Sequence, residues 1–423
     1  MSSFFAFALL LFYLLVPISI WLGILSLRGG IRFVRYLQSE TGRSYPPFTP
    51  FVSVFFPVRG TDDEGLPENI AAVFSQDYPS YEVVFVSDSE DDPAWAIIET
   101  ARRSFAAESG PTMQTVVAGP TTDRGQKVHN LAFAVDHADT LSEVFVFVDS
   151  DARPASYWLS SLVAPLQDET VGATTGYRWF VPIRGGLASH LRSVWNAAIA
   201  SALGADEQRN FCWGGSTAIR RSTFEACDVI GHWQGTVSDD FAMTRALRAA
   251  NKRIKFVPQC LTPCFENCSI SELIEFTTRQ LKITRVYAPH LWKPLLIGSA
   301  LFVLVFFGGF GFVILRAVLG LSFLTPLVLL LIIFSMGAMK SHLRLRAVTQ
   351  IINDQRAKSP ASTIAHVMLW PLASALYLCN ASAAAFSRRI TWRGITYELK
   401  SPNETKILSE KSAEWSQNPD ESG

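Results

Sequence analysis

The segment "FVFVDSDARP", residues 145–154, decides how the fold of this chain is interpreted. Four apolar residues lead directly into two aspartates, Asp149 and Asp151, which one serine separates. An apolar run of this length predicts a buried strand. Two like charges repel each other at the end of such a strand, so something must compensate them.

Strand and helix patterns alternate around this segment. Apolar, β-branched runs predict strands at residues 51–58, 81–88, 112–119 and 144–149. Helical patterns lie between them, at residues 66–76, 93–107 and 127–138. This alternation predicts an α/β fold with a mostly parallel sheet that is covered on both faces.

Three aspartates follow the predicted strands directly: Asp88, Asp149 and Asp151. Ligands of open α/β sheets bind outside the carboxyl ends of the strands. No GxGxxG motif or P-loop follows any of these strands, so the phosphate cradle of those folds is not predicted.

A hard cation would relieve the repulsion between Asp149 and Asp151. Carboxylate oxygens suit Mg²⁺ or Mn²⁺, and magnesium sites often combine one or two carboxylates with substrate phosphates. The pair therefore predicts a divalent metal cofactor and a nucleotide diphosphate ligand. The alternative is a solvated strand end, or an N-cap for the following segment "ASYWLSSL".

A second acidic pair, Asp239 and Asp240, stands at the start of a predicted helix within "GTVSDDFAMTRALRAANKRIKFVP", residues 235–258. Helix capping accounts for one of the two carboxylates. Beside a metal and phosphate site, Asp240 could instead serve as a general base. Upstream, Gly214 and Gly215 permit close approach of the backbone to a ligand.

The apolar residues are concentrated at both ends of the chain. Residues 4–26 carry no charge and are long enough to span a bilayer, and residues 294–315, 318–339 and 363–386 are also apolar. Basic residues follow the first and third of these segments, and the positive-inside rule places both flanks in the cytoplasm. The predicted organisation is an N-terminal transmembrane helix (1–30), a cytosolic domain (45–290), transmembrane or interfacial helices (291–390) and a polar tail (391–423), disordered from Ser401 onward.

Two segments leave alternatives open. Residues 363–386, interrupted by Pro371 and flanked by basic residues on both sides, either span the membrane or enter it and return. Residues 187–203 place apolar residues at helical spacing on one face, with polar residues such as Arg192 and Asn196 on the other. Such a helix lies in the membrane interface or packs on the domain core.

The composition of the chain bears on two further possibilities, a nucleic-acid partner and a metal site built from cysteines. The chain has 423 residues and zero formal net charge, so no bulk charge favours nucleic acid as a partner. Cys260, Cys264 and Cys268 recur every four residues, but no CxxC pair occurs. We interpret them as packed thiols in a reducing compartment rather than as a metal site.

Several segments occur in an order typical of one family. They are "VSVFFPVRG", "QDYPSYEVVFVSD", "VFVDSDARP", "WGGSTAIRR", "SDDFAMTRAL" and "ITWRGITYEL". Together, over roughly residues 45–400, they resemble the ceramide glucosyltransferases and related bacterial lipid glycosyltransferases. The resemblance implies a membrane-anchored, inverting glycosyltransferase of the GT-A (nucleotide-diphospho-sugar transferase) fold, of family 2 or 21 type.

The resemblance also implies roles for single residues. Asp88 would contact the donor nucleotide, Asp149 and Asp151 would hold the metal and the donor diphosphate, and Lys127 would lie near the donor. Asp240 would deprotonate the acceptor hydroxyl.

Four further residues are implied to line the donor and acceptor pocket: Trp213, Gly214, Gly215 and Asp239. The family signature (Q/R)XXRW is altered here to "RQLKI", residues 279–283. Arg279 and Lys282 would still bind the donor. Lysine keeps the positive charge but loses the bidentate fork of arginine, and the indole is missing. Arg285, nearby on the same predicted helix, could compensate.

The expected reaction is transfer of a sugar, glucose from UDP-glucose, to the hydroxyl of a membrane lipid such as ceramide. Other acceptors (a hopanoid, diacylglycerol or polyprenyl phosphate) and a polysaccharide synthase are the enzymatic alternatives. A transporter or membrane scaffold with a globular domain is the non-enzymatic alternative, but the spans carry almost none of the charges that mark a transport path. The expected location is a multi-pass membrane protein with a cytosolic catalytic domain, in the inner membrane of a bacterium or the Golgi or ER of a eukaryote.

Overall fold

The computed structural model describes residues 2–61, 65–105 and 110–410. These form two compact units, each built from three stretches of the chain. The first unit comprises residues 1–42, 180–204 and 266–387, and the second comprises residues 43–179, 205–265 and 388–423. The division differs from the predicted domain boundaries, because residues 180–204 and 266–290 belong to the unit of long helices.

The first unit is helical. Its helices are α1 (Ser2–Thr41), α6 (Leu187–Ala200), α10 (Ile270–Tyr287), α11 (Pro289–Val318), α12 (Leu324–Ile351), α13 (Pro360–Met368) and α14 (Trp370–Phe386). Phe12 and Val16 of α1 pack with Phe306 of α11 and Leu330 of α12 in one apolar cluster. Between helices inside a bilayer, such contacts stabilise through van der Waals packing rather than through removal of apolar surface from water.

Three helices of the described chain are long and apolar enough to cross a membrane: residues 9–41 of α1, then α11 and α12. Helices α13 and α14 pass the same test only as a pair, and a bend of 57° separates them. The pair is either a broken span or a re-entrant loop, so both predicted alternatives for residues 363–386 stand.

Helix α6 lies inside the first unit, where Trp195 packs with Leu273 of α10 and Leu376 of α14. The face that carries the polar residues is largely buried. Arg192 is 6% exposed and Asn196 is 2% exposed, whereas Leu187 is 59% exposed. Arg192 is buried because it pairs with Glu266, at 3.0 Å between Nη1 and Oε2.

The second unit contains the predicted α/β sheet. Its strands are β1 (Val52–Pro57), β2 (Tyr81–Ser87), β3 (Thr112–Val117), β4 (Val144–Phe147), β5 (Val171–Val181), β6 (Thr217–Arg220) and β7 (Arg253–Phe265). Its helices are α2 (Leu66–Phe74), α3 (Ala94–Phe105), α4 (Gln126–Val135), α5 (Trp158–Val163), α7 (Arg221–Ala226), α8 (Val229–His232) and α9 (Asp239–Ala249).

The seven strands lie in the order β3-β2-β1-β4-β6-β5-β7. Strands β1 to β4 pair in parallel, with Phe55 of β1 between Val84 of β2 and Phe147 of β4. Strand β6 runs antiparallel to both β4 and β5. The predicted α/β class with a mostly parallel sheet is confirmed.

A small sheet follows the last membrane-type helix. Strands β8 (Arg389–Trp392), β9 (Ile395–Ser401) and β10 (Glu404–Glu410) pair antiparallel. Arg393 and Gly394, at φ of 48° and 80°, form the two-residue turn between the first two strands. The expected disorder from Ser401 onward is wrong as far as Glu410, and residues 411–423 lie outside the described residues.

The three cysteines of the four-residue spacing are free thiols. Cys260 and Cys264 are buried on strand β7, and the Cys268 thiol lies just after that strand. Within the part of the chain that the structure describes, no group of three metal-ligating side chains occurs.

Candidate active site

The carboxyl ends of β2 and β4 place Asp88, Asp149 and Asp151 as the sequence predicts. Asp149 and Asp151 converge on one cation, the guanidinium of Arg178 from strand β5. Arg178 Nη2 lies 3.3 Å from Asp149 Oδ2, and its Nη1 lies 3.1 Å from Asp151 Oδ2. An internal arginine therefore compensates the repulsion between the two aspartates.

A second cation, Lys127, joins this pair to the second acidic pair. It is the second residue of helix α4, and its Nζ lies 2.6 Å from Asp149 Oδ1 and 3.1 Å from Asp239 Oδ1. The structure thus brings Asp149 and Asp239 within ion-pair distance of Lys127, and the roles of all three residues at a donor site stay predictions.

The pKa values of the clustered aspartates shift in opposite directions, because burial dominates at Asp239 and the ion pairs dominate at Asp149. Burial raises the pKa of Asp149, but Lys127 and Arg178 outweigh burial and lower it below its ordinary value. Burial, with the neighbouring carboxylates of Asp240 and Asp149, raises the pKa of Asp239 to about 6, although Lys127 opposes the change. Burial disfavours the charged form of Lys127, yet Asp149 and Asp239 together raise its pKa. The cluster therefore keeps Asp149 ionised and brings the pKa of Asp239 close to neutral pH.

Arg178 also makes a cation–π contact with an aromatic ring. Its guanidinium carbon lies 5.0 Å from the ring centroid of Trp213, which also contacts Tyr177 at 5.6 Å. The carboxylates of Asp149 and Asp151 are 15% and 19% exposed, so both can reach a ligand. Because two carboxylates already meet at one positive centre, this donor set fits a hard divalent cation that is completed by substrate oxygens.

Asp88 lies beside another arginine. Arg59 Nη2 is 3.5 Å from Asp88 Oδ2 and 2.7 Å from Oε1 of Glu410 in strand β10. Burial raises the pKa of Asp88, and Arg59 opposes this shift. The C-terminal sheet thus contributes directly to the surroundings of the first predicted donor residue.

Two further contacts attach the C-terminal sheet to the elements that carry the site. The Tyr397 hydroxyl accepts a hydrogen bond from Gln126 N, at 3.2 Å, next to Lys127. The Thr405 hydroxyl donates to Gly235 O, at 2.7 Å, in the loop before Asp239.

Asp239 and Asp240 are the first two residues of helix α9, and Ser238 occupies the N-cap position. Asp240 Oδ1 accepts a hydrogen bond from Phe241 N at 2.7 Å and another from the Ser238 hydroxyl. Neither aspartate is therefore the N-cap residue, although both carboxylates suit the positive end of the helix dipole.

Gly214 and Gly215 lie where a side chain would overlap neighbouring groups of the protein. A Cβ on Gly214 would overlap the Asp239 carboxylate and lie 2.7 Å from Lys127 Nζ. A Cβ on Gly215 would overlap the indole of Trp213. Gly214 therefore provides the space in which Lys127 and Asp239 pair.

The altered signature belongs to the helical first unit. Arg279 and Lys282 are on helix α10, which belongs to the first unit rather than to the unit of the carboxylates. Arg279 Nη1 lies 3.7 Å from Glu275, and burial lowers the pKa of Lys282. Arg285 on the same helix donates to Ala384 O. Arg279 and Lys282 stay predicted donor residues.

Sequence reasoning missed two cations of the site, Arg178 and Arg59. Arg178 had a usable signal, since it is the one charge in the apolar strand "VGATTGYRWFV", residues 171–181. A charge in a buried strand requires a partner. Arg59 follows strand β1 in "FFPVRG", and only its position at a strand end could have marked it.

Most of the chain matches the model of one protein family. Residues 12–405 match glycosyl transferase family 21. A hyaluronan synthase of Streptococcus pyogenes serotype M3 is 31% identical over 157 residues, which are 35% of this chain and 36% of that protein. Ceramide glucosyltransferase 3 of Caenorhabditis elegans is 22% identical over 251 residues, 57% of this chain and 52% of that protein. The chain thus spans less than two thirds of either relative.

Solved structures with a similar arrangement include a mannosyltransferase from Pyrobaculum calidifontis in complex with GDP-Man and Mn²⁺. Its TM-score is 0.46 at 17% identity, covering 88% of this chain and 98% of that one. Glucosyl-3-phosphoglycerate synthase from Mycobacterium tuberculosis, in complex with Mn²⁺ and UDP-glucose, has a TM-score of 0.36 at 16% identity. It covers 60% of this chain and 82% of that one.

Proposed function

Because this chain belongs to glycosyl transferase family 21, we propose that it transfers glucose from UDP-glucose to the hydroxyl of a membrane lipid such as ceramide. The observation that carries the proposal is the convergence of Asp149 and Asp151 on the Arg178 guanidinium at the strand ends, with Asp149 Oδ1 also 2.6 Å from Lys127 Nζ. Three helices of membrane-spanning length support a lipid acceptor.

The donor would be held by charges of both signs. Asp149 and Asp151 would hold Mg²⁺ or Mn²⁺, and the ion would supply the positive charge that a departing diphosphate requires. Lys127 would keep Asp149 and Asp239 in place and face the diphosphate with its ammonium group. Asp88, ion-paired with Arg59, would contact the nucleotide.

The acceptor would be activated by Asp240. Its carboxylate would take the proton of the lipid hydroxyl while the acceptor oxygen forms a bond to the anomeric carbon. The bond from that carbon to the donor diphosphate breaks at the same time, and its electron pair leaves with UDP. Displacement from the opposite face inverts the anomeric centre. Asp240 is half-buried at the start of α9, where Phe241 N and the Ser238 hydroxyl fix its Oδ1.

A second candidate, a polysaccharide synthase, is favoured by the matches to hyaluronan synthases at 31% identity. Such an enzyme would use the same donor chemistry, but its acceptor would be the end of a growing polysaccharide rather than a lipid. The altered "RQLKI" segment and the small number of candidate spans argue for the lipid acceptor.

An assay of the purified protein in lipid nanodiscs distinguishes the lipid glycosyltransferase from the polysaccharide synthase. UDP-glucose, UDP-galactose and UDP-N-acetylglucosamine are each offered with ceramide, diacylglycerol or polyprenyl phosphate, with Mn²⁺ or with EDTA. We expect one glucosylated lipid by thin-layer chromatography and mass spectrometry, and none with EDTA. A polymer without any glycolipid would favour the synthase, and donor turnover unaffected by EDTA would contradict the metal assignment.

A further inference from the structure

Arg178 occupies the place at which a metal would meet the protein. Its guanidinium donates to Asp149 and Asp151 with separate nitrogens, at 3.3 and 3.1 Å, and its side chain is 16% exposed. The arginine comes from strand β5, whose neighbouring residues are almost all buried. The position therefore carries a cation before any ligand arrives.

A divalent cation and this guanidinium compete for the same oxygens. A metal that binds Asp149 and Asp151 without the donor takes from Arg178 its two carboxylate partners. Removing one partner from a buried ion pair is strongly unfavourable, because the remaining charge is left without compensation. Metal binding to the donor-free protein is opposed for that reason.

A bound diphosphate changes this balance. Phosphate oxygens are good partners for the planar guanidinium, which can bind two of them at once. The Trp213 face, 5.0 Å from the guanidinium carbon, would keep the side chain at the site while it exchanges partners. Arg178 would then contact the donor, and the two aspartates would be available to the metal.

We propose that Arg178 is the internal counter-ion of the Asp149–Asp151 pair and a donor-binding residue, and that its exchange of partners makes metal and nucleotide diphosphate bind together. The donor part of this inference rests on the proposed function. The part that concerns metal binding to the donor-free protein does not.

The test uses Arg178→Met, which keeps the length of the side chain but removes its charge. Mn²⁺ affinity of the donor-free protein is measured by electron paramagnetic resonance of free Mn²⁺, and UDP affinity by calorimetry with saturating Mn²⁺. We expect Mn²⁺ to bind about tenfold or more tightly to the variant, and UDP about tenfold or more weakly. Arg220→Met is the matched control, because Arg220 lies on strand β6 and donates to the carbonyls of Leu166 and Val171.

Tighter Mn²⁺ binding together with weaker UDP binding is the diagnostic result, because damage to the fold would weaken the binding of both ligands. Arg178→Lys keeps the charge but not the fork, and it should shift both affinities in the same directions by less. Unchanged or weaker Mn²⁺ binding in Arg178→Met, or in Arg178→Lys if Arg178→Met does not fold, would overturn the counter-ion role. If wild-type protein binds Mn²⁺ but no UDP, the proposed function and the donor role fail together, and the Mn²⁺ comparison alone decides the counter-ion role.

Discussion

Gly214→Ala tests whether the pairing of Lys127 with Asp239 depends on the space that this glycine leaves. The new Cβ would overlap the Asp239 carboxylate and lie 2.7 Å from Lys127 Nζ and 3.1 Å from Asp239 Cγ. Ordinary contacts between such atoms are about 3.5–4 Å, so the two charged groups must move by about 1 Å. The separation of Lys127 and Asp239, 3.1 Å in the wild type, then approaches the limit of an ion pair.

Two consequences can be measured. Overpacking of a buried site costs about 1–3 kcal/mol, and for a unit of this size each kcal/mol lowers the melting midpoint by about 2–4 °C. A displacement of about 1 Å at reacting groups can reduce turnover about a hundredfold. We therefore expect a lower midpoint by differential scanning fluorimetry and a large loss of sugar transfer. Gly204→Ala is the control, because a Cβ there meets nothing within 4 Å. A Gly214→Ala protein with an unchanged midpoint and turnover within about twofold of wild type would refute the reasoning.

Four other predictions concern the acidic residues and the topology. Asp151→Ala should abolish Mn²⁺-dependent UDP binding, and calorimetry that finds equal affinities would contradict the metal assignment. Asp240→Asn should lose about a hundredfold to ten-thousandfold in turnover at saturating substrates while it keeps UDP affinity, and a loss within about threefold would exclude Asp240 as the base. The raised pKa of Asp239, about 6, favours the fold below its ordinary value of 3.8, and this contribution is lost as the pH rises through about 6. Asp239→Asn should therefore remove up to about 3 kcal/mol of that pH dependence, seen as a flatter melting midpoint between pH 4 and 7. Cysteines introduced within residues 45–290 should resist impermeant reagents in intact cells, and labelling from outside would overturn the cytosolic location.

Local sequence patterns predicted the strands of the central sheet and the positions of most carboxylates of the candidate site. The strand before Asp149 and the helix after Asp239 are each visible in a few consecutive residues. Arg178 pairs across 27 residues with Asp151, and one sequence does not reveal which distant charge a buried arginine meets. The burial of Arg192 on helix α6 was not predicted for the same reason, since its partner Glu266 is distant in the sequence.

The C-terminal sheet was missed although its sequence carried a weak signal. Ile395, Tyr397 and Leu399 alternate with more exposed residues and are buried, which is the pattern of a half-buried strand. Disorder was predicted only from Ser401 onward, because polar residues predominate there. Burial of this short face depends on Gln126 and Gly235, more than 150 residues earlier in the chain.

The position of this sheet at the end of the described chain links its formation to the order of synthesis. Ribosomes release residues 388–410 only after helices α11, α12, α13 and α14 have been made. The hydrogen bonds of Tyr397 to Gln126 and of Thr405 to Gly235 cannot form earlier, although the seven central strands are already present. Translation that stops among the membrane-type helices therefore yields a nascent protein without these braces beside Lys127 and Asp239. The second unit, which carries the candidate site, is therefore completed only after helices α11 to α14 have been synthesised.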